Sequence, residues 1–152
     1  MTRKIGFKKM YPNAIIPKRA TPGSAGMDLY ASADVLIQSK SRRCVPTGIK
    51  AVFPPNTFGK IEGRSHLAYF YQIDVVGGVI DNDYRGELKV ILVNNNPDVG
   101  FLIKSGDRVA QLIVHNIDFW PSKEITGNLP LPTVRNSDGF GSTGIWFFSF
   151  YF

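Results

Sequence analysis

Glycine and proline interrupt this chain so often that no long element has room to form between them. Fifteen glycines and ten prolines are distributed along 152 residues, and both residue types break helices and mark turns. Between the turns lie short β-type runs, and no long segment of 3.6-residue period appears. The expected strands are Ile5–Met10, Met27–Ala31, Val35–Gln38, Arg43–Val45, Ile49–Phe53, Thr57–Glu62, Ile73–Val76, Glu87–Asn94, Gly100–Lys104 and Arg108–Ile117. In Glu87–Asn94 the residues Leu88, Val90 and Leu92 alternate with Ile91 and Val93, so both faces are apolar. Such a strand is expected to be buried on both sides, in a sandwich or in an oligomer core. One short helix is expected over Ser65–Tyr71, where neither Gly nor Pro intervenes.

The fold class that follows is all-β, a jelly roll or β-sandwich with a long C-terminal arm. The length suits one domain with a real core and is too short for two. Residues 1–120 are assigned to the β core. Pro121, Gly127, Pro130 and Pro132 mark residues 121–144 as an extended arm, and residues 145–152 form an aromatic tail. Hydrophobic residues make up 43% and charged residues 20%, which places the chain among folded globular proteins rather than disordered ones.

Several classes of function are excluded at this level. A single cysteine, Cys44, rules out an internal disulfide framework and fits a reducing, intracellular setting, cytoplasmic or nuclear. Within its strand Cys44 is read as a small buried hydrophobe. Two histidines and one cysteine, far apart in sequence, do not make a structural zinc site. No run approaches the apolar length of a membrane span, and no charged-then-apolar leader opens the chain. The net charge of +6 suits a polyanionic small molecule such as a triphosphate, or nucleic acid. Nucleic acid is the poorer fit, because the basic residues are not interleaved with aromatics. The basic residues of the first twenty positions read as a solvated face.

Five segments carry residues unusual for plain strands and turns. Pro22–Ala31 sets Asp28 beside a pair of glycines at the mouth of a strand, although Gly and Asp are also ordinary turn residues. Gly63–Ala68 offers a guanidinium (Arg64), a hydroxyl (Ser65) and free backbone N–H groups at a helix start, a combination that suits an anion. A Ser cap beside a solvated Arg would look the same. Gly77–Glu87 places Asp81, Tyr84 and Arg85 in a glycine-opened hairpin. Its backbone can read a base edge, its tyrosine can stack, and Asp81 can act as general base. Asn-Asp turn chemistry explains Asn82 and Asp83 but leaves Tyr84-Arg85-Gly86 unexplained. In Gly106–Ile113, Gln111 faces away from Ala110 and Leu112, and if buried it needs a polar partner. Arg135–Gly144 forms a glycine-rich loop, with Phe140 inside it, suited to wrapping phosphates.

In this order the five segments resemble the five motifs of the trimeric dUTPase family, and the resemblance runs from Pro22 to Gly144. It implies hydrolysis of dUTP to dUMP and pyrophosphate with Mg2+, in a homotrimer whose sites each draw on three subunits. Asp81 would activate the water that attacks the α-phosphorus, with Gln111 near that phosphate. Gly78, Val79 and Ile80 would read uracil through their backbone, and Tyr84 would pack under the deoxyribose and exclude a 2′-hydroxyl. Arg64, Ser65 and His66 would lie along the phosphates, and Asp28 would hold magnesium through water only. Arg135 would meet the γ-phosphate, Phe140 would cover uracil, and Gly141, Ser142 and Thr143 would close as a lid.

The chain departs from the family pattern at several positions. Gly63 and His66 replace a Pro and a Gly, Asn82 replaces a common acid, and Asn136 and Asp138 stand where glycines are frequent. Six of the last seven residues are aromatic, too apolar a segment to leave in water. Packing against the trimer is the preferred reading of this tail, ahead of partner docking or an interfacial anchor. A catalytically inactive interaction module using that tail, and the dCTP deaminase branch of the same fold, are the rival readings.

Overall fold

The computed structural model describes residues 4–129 together with Thr133, Val134 and Ser137. Period-2 alternation between closely spaced turns produces eleven short strands and one helix among them. In chain order these are β1 (Gly6–Lys9), β2 (Met27–Tyr30), β3 (Val35–Ile37), β4 (Arg42–Pro46), β5 (Ile49–Val52), β6 (Thr57–Glu62), α1 (Ser65–Tyr71), β7 (Ile73–Val76), β8 (Val79–Ile80), β9 (Lys89–Asn94), β10 (Phe101–Ile103) and β11 (Arg108–Asn116). All pairings are antiparallel, in the orders β2-β11-β6-β8, β4-β9-β7, β1-β5 and β10-β3. Consecutive strands seldom pair, as expected where a chain crosses between two faces of a sandwich. The chain divides at Phe119/Trp120 into two units. None of the described residues of the second unit lies in a strand or helix.

The expected elements are present, with differences that have physical causes. The Glu87–Asn94 run begins pairing only at Lys89, because the Leu88 N–H instead bonds the Ile49 carbonyl at 2.8 Å. Strand β8 is an element that the hydrophobic pattern did not signal. Gly77 and Gly78 turn the chain back so that Val79 and Ile80 pair with Lys60 and Gly59 of β6. Helix α1 begins one residue after its cap, which is Arg64 and not Ser65, and it ends on Gln72 in the left-handed region. Only Leu67 anchors its seven residues to the core, leaving Tyr69, Phe70 and Tyr71 exposed.

Side-chain alternation fills the core from both layers. In β6 Thr57 and Ile61 point inward with Gly59 between them, while β9 buries Val90 and Leu92. The other face of β9 is not covered within this chain: Ile91 stays 38% exposed and Val93 is half-buried. The expected two-sided burial of this strand is therefore supplied on one side only by the subunit itself. The same register corrects the reading of Cys44. Val45 pairs with the buried Val90, and Cys44 pairs with Ile91, so alternation turns the thiol outward, and it is exposed.

Among the described residues three polar side chains are buried, Thr47, Thr57 and Asn94, and each is used as a stitch. Asn94 closes β9 by donating from Nδ2 to the carbonyls of Ile37 (3.2 Å) and Val99 (2.8 Å), while its Oδ1 accepts from the Asn96 N–H. Replacing it by alanine leaves those groups unpaired in the interior. Asn94→Ala is expected to lower stability by about 2 kcal/mol, measured by urea unfolding.

Asp34 clasps the turn that feeds β11. Its carboxylate accepts from the Ser105 N–H (2.8 Å) and from Lys104 Nζ (2.9 Å). The Ser105 bond first, and then the lysine, hold its pKa below the ordinary aspartate value. A carboxyl depressed in the folded state stabilises above its unfolded pKa and loses that contribution as pH falls through the folded one. The stability difference between wild type and Asp34→Asn is therefore expected to be fully present at pH 7 and to vanish in strong acid. Chemical unfolding of both proteins across pH 2–7 measures it.

Candidate functional site

The registers of β11 bring the first group of residues together. Gln111 lies opposite Asp28 of β2 on one side and Glu62 of β6 on the other, and directly paired residues share a face. A bulge between Arg108 and Ala110 sets this register. The Gln111 amide is half-buried and donates to the Gly63 carbonyl at 2.8 Å, which answers the need for a polar partner. Gly26 makes that position possible: a Cβ there would fall 2.5 Å from Gln111 Oε1 and 2.8 Å from its Cβ.

Asp28 is the hub of this group. Arg64 Nε lies 3.5 Å from Asp28 Oδ1 and Arg108 Nη1 lies 3.8 Å from Oδ2, with the aspartate side chain only 14% exposed. Arg64 also donates from Nη1 to the Arg108 carbonyl at 3.0 Å. Pairs this long, with Arg108 half-exposed, add little stability. They hold two guanidinium groups beside one carboxylate, an arrangement with a net positive charge. A cleft of about 290 Å³ is lined by both arginines, His66, Leu67, Tyr71, Phe101, Ile103, Asp107 and Val109. The His66 ring packs on Phe70 (5.0 Å) and Tyr71 (5.6 Å) along its own helix. Ser65, beside it, is exposed at the first turn.

The second group sits on the β8 hairpin. Gly78 adopts φ +95°, and a Cβ there would lie 2.5 Å from the Ile61 carbonyl oxygen. Only glycine therefore permits the 2.8 Å bond from the Ile61 N–H to the Gly78 carbonyl. Beyond β8 the Tyr84 N–H returns to the Asp81 carbonyl (3.1 Å) and the Tyr84 hydroxyl donates to the Glu87 carbonyl (3.0 Å). Its ring lies over Gly86, where any Cβ would collide with it, which explains why Tyr84-Arg85-Gly86 travels as a unit. Asp81, Tyr84, Val79 and Ile80 line a cleft of about 230 Å³ with Cys44, Glu87, Lys89 and Ile91. Asp81 is exposed, and among the described residues its carboxylate has no hydrogen-bond or ion-pair partner.

The two clefts share no lining residue. Within one chain, Asp28, Arg64 and Gln111 form one group by strand register and ion pairing, and Asp81 with Tyr84 line a cleft apart from that of Arg64. Arg135, Phe140, Gly141, Ser142 and Thr143 lie outside the described residues, as does the aromatic tail.

A dUTPase family model matches residues 12–144. The chain belongs to the dUTPase family. It is similar to deoxyuridine 5'-triphosphate nucleotidohydrolases from avian adenovirus 8 (47% identity, 93% of this chain and 85% of the relative) and Paramecium bursaria Chlorella virus 1 (46%, 91% and 96%). The tomato relative, from Solanum lycopersicum, is 45% identical over 91% of this chain and 80% of its own length. Among solved structures, a dUTPase mutant of Staphylococcus bacteriophage 80alpha with dUpNHpp superposes with a TM-score of 0.85 at 21% identity, covering 95% of this chain and all of that one. A dUTPase mutant from phage phi11 of S. aureus, described with a structural Mg(II) ion, gives 0.77 at 19% identity over 82% and 97%. These superpositions establish the β-sandwich fold of this dUTPase family member.

Sequence reasoning missed three residues of the site. Arg108 shares Asp28 with Arg64, Gly26 makes room for Gln111, and Asn82 bonds across to another turn. All three lie within the motif segments, and Asn82 is a departure from the family pattern, but none carries a signal of the partner it finds. Gly26→Ala is expected to drive Gln111 off the Gly63 carbonyl and to cost about 1–3 kcal/mol. Urea unfolding beside the neutral control Gly23→Ala, where a Cβ meets nothing within 4 Å, tests this.

Proposed function

We propose that this chain hydrolyses dUTP to dUMP and pyrophosphate. The observation that carries the reading is family membership at 45–47% identity to proteins named for that reaction, with Asp81, Tyr84, Gln111 and Arg64 all in place. Asp81 accepts a proton from a water as the water oxygen forms a bond to the α-phosphorus. The bond from that phosphorus to the pyrophosphate oxygen breaks, and the leaving group departs with its electron pair. An exposed carboxylate with no partner of its own suits a base that must hold a substrate water. Arg64, with Arg108 beside it, supplies positive charge where negative charge develops on the phosphate chain.

Selectivity is assigned to the hairpin. The backbone of Gly78, Val79 and Ile80 reads uracil, and the Tyr84 ring, held down by its bond to Glu87, packs under the deoxyribose and leaves no space for a 2′-hydroxyl. Gln111 lies beside the α-phosphate, Ser65 and His66 lie along the chain, and Arg135, Phe140, Gly141, Ser142 and Thr143 complete the site as a lid.

Magnesium fits the donor set in one manner. Among the described residues no group of three or more His, Cys, Asp or Glu could hold a metal directly. Asp28, held beside Arg64 and Arg108, suits a Mg2+ that would keep its waters and draw its remaining ligands from the substrate. When bound, the ion would neutralise charge on the triphosphate.

The active form is proposed to be a homotrimer. Two features favour it: the uncovered apolar outer face of β9, and the separation of Arg64, which is tied to Asp28, from Asp81 and Tyr84 into different clefts. A complete site then needs the first group from one copy and the hairpin from another.

Pyrophosphate release from dUTP with Mg2+ tests the whole reading, compared against dCTP, dTTP and UTP. Turnover is expected to be selective for dUTP and to fall by about a thousandfold or more in Asp81→Asn. A well-folded trimer without turnover would favour an interaction module instead.

A further inference from the structure

We infer that Asn82 is the positioning residue for Asp81 and that its amide, as a double donor, sets where the catalytic carboxylate stands. This inference rests on the dUTP reading above. The Asp81 carboxylate has no protein partner among the described residues, so its direction depends on how its backbone is held. Two of the restraints are shared with the rest of the hairpin: β8 pairs with β6, and the Tyr84 N–H bonds the Asp81 carbonyl. The third comes from the side chain of Asn82, at the position where the family commonly carries an acid.

Asn82 Nδ2 donates to the Pro54 carbonyl at 2.8 Å and to the Thr57 carbonyl at 2.7 Å. Both N–H groups of one amide are thereby spent on the turn between β5 and β6, more than twenty residues away in sequence. That turn is itself braced. Thr57 Oγ1 donates to the Pro54 carbonyl (2.7 Å), Asn56 holds φ 58°, and the Asn56 carbonyl accepts from Ile117 at the end of β11. Arg85 closes the near side by donating from Nη1 to the carbonyls of Asn82 (2.7 Å) and Tyr84 (2.9 Å). Asn82 is half-buried between these groups, while Asp81, one peptide away, stays exposed in front of them.

The requirement is for donors, and size alone does not meet it. A carboxylate at this position has the same shape but offers only acceptors, and it would face two carbonyl oxygens that now receive hydrogen bonds. The hairpin tip must then move, and Asp81 with it. Displacement of a reacting group by a fraction of an ångström is costly to turnover and nearly invisible to ground-state binding.

The test uses the full chain with Asn82→Asp, of equal size, and Asn82→Ala, read in three ways. With dUTP and Mg2+, kcat is expected to fall about tenfold or more in both variants while KM stays within about twofold. The dissociation constant for dUpNHpp is expected to stay within about twofold of wild type. Amide hydrogen exchange over Asp81–Arg85 is expected to quicken in both, whether or not the protein turns over. Should Asn82→Ala fail to fold, Asn82→Asp carries the test alone. Asn82→Asp with wild-type kcat and unchanged exchange would overturn the inference. A loss of dUpNHpp affinity matching the loss of kcat would also overturn it, because Asn82 would then be holding the pocket and not the base. An inactive wild type would sink the dUTP reading itself, and is recognised before any variant is compared.

Discussion

Everything in this subunit hangs on the double pairing of β11. It is hydrogen-bonded to β2 on one side and β6 on the other, and a strand held on both edges cannot slip by one residue without turning every side chain over. Its inward residues Val109, Ala110 and Leu112 belong to the core, so the register is enforced by burial. The same register sets Gln111 between Asp28 and Glu62. Core packing and site geometry are thus one constraint seen from two faces of a sheet, and the bulge after Arg108 is where the two demands are reconciled.

A division of labour runs through the site. Asp28, Gln111 and Arg64 stand on strands and at the start of a helix, where neighbouring carboxylate and guanidinium groups partly neutralise each other. Asp81 and Tyr84 stand on a hairpin whose shape comes from backbone hydrogen bonds, from the side-chain bonds of Asn82, Tyr84 and Arg85, and from glycines that admit close approach. The first arrangement tolerates movement, since attraction between charges falls off gradually with distance. The second does not, since hydrogen-bond geometry and steric exclusion change within tenths of an ångström.

The sequence made the strands legible because glycine and proline mark their ends and alternation marks their faces. It made the hairpin legible as a turn with surplus chemistry. What stayed hidden depends on partners distant in the chain. Cys44 looked like a core residue by type, and only its register against Ile91 turns it outward. Asn82 looked like turn chemistry, and its two acceptors lie more than twenty positions upstream. Arg108 gave no sign that it would share Asp28 with Arg64, a residue 44 positions away. Residue type and local spacing predict which way an element forms; they do not predict which carbonyl an amide will find across a fold.

The outward Cys44 has a practical consequence. It is the only thiol in the chain, and it forms part of the wall of the cleft that also holds Asp81 and Tyr84. Any thiol-directed maleimide dye or spin label must therefore attach in that cleft and nowhere else on the subunit. Labelling chemistry chosen to observe this protein would occupy the space beside Asp81 and Tyr84, so a fluorophore meant as a bystander needs a cysteine introduced elsewhere and Cys44 removed.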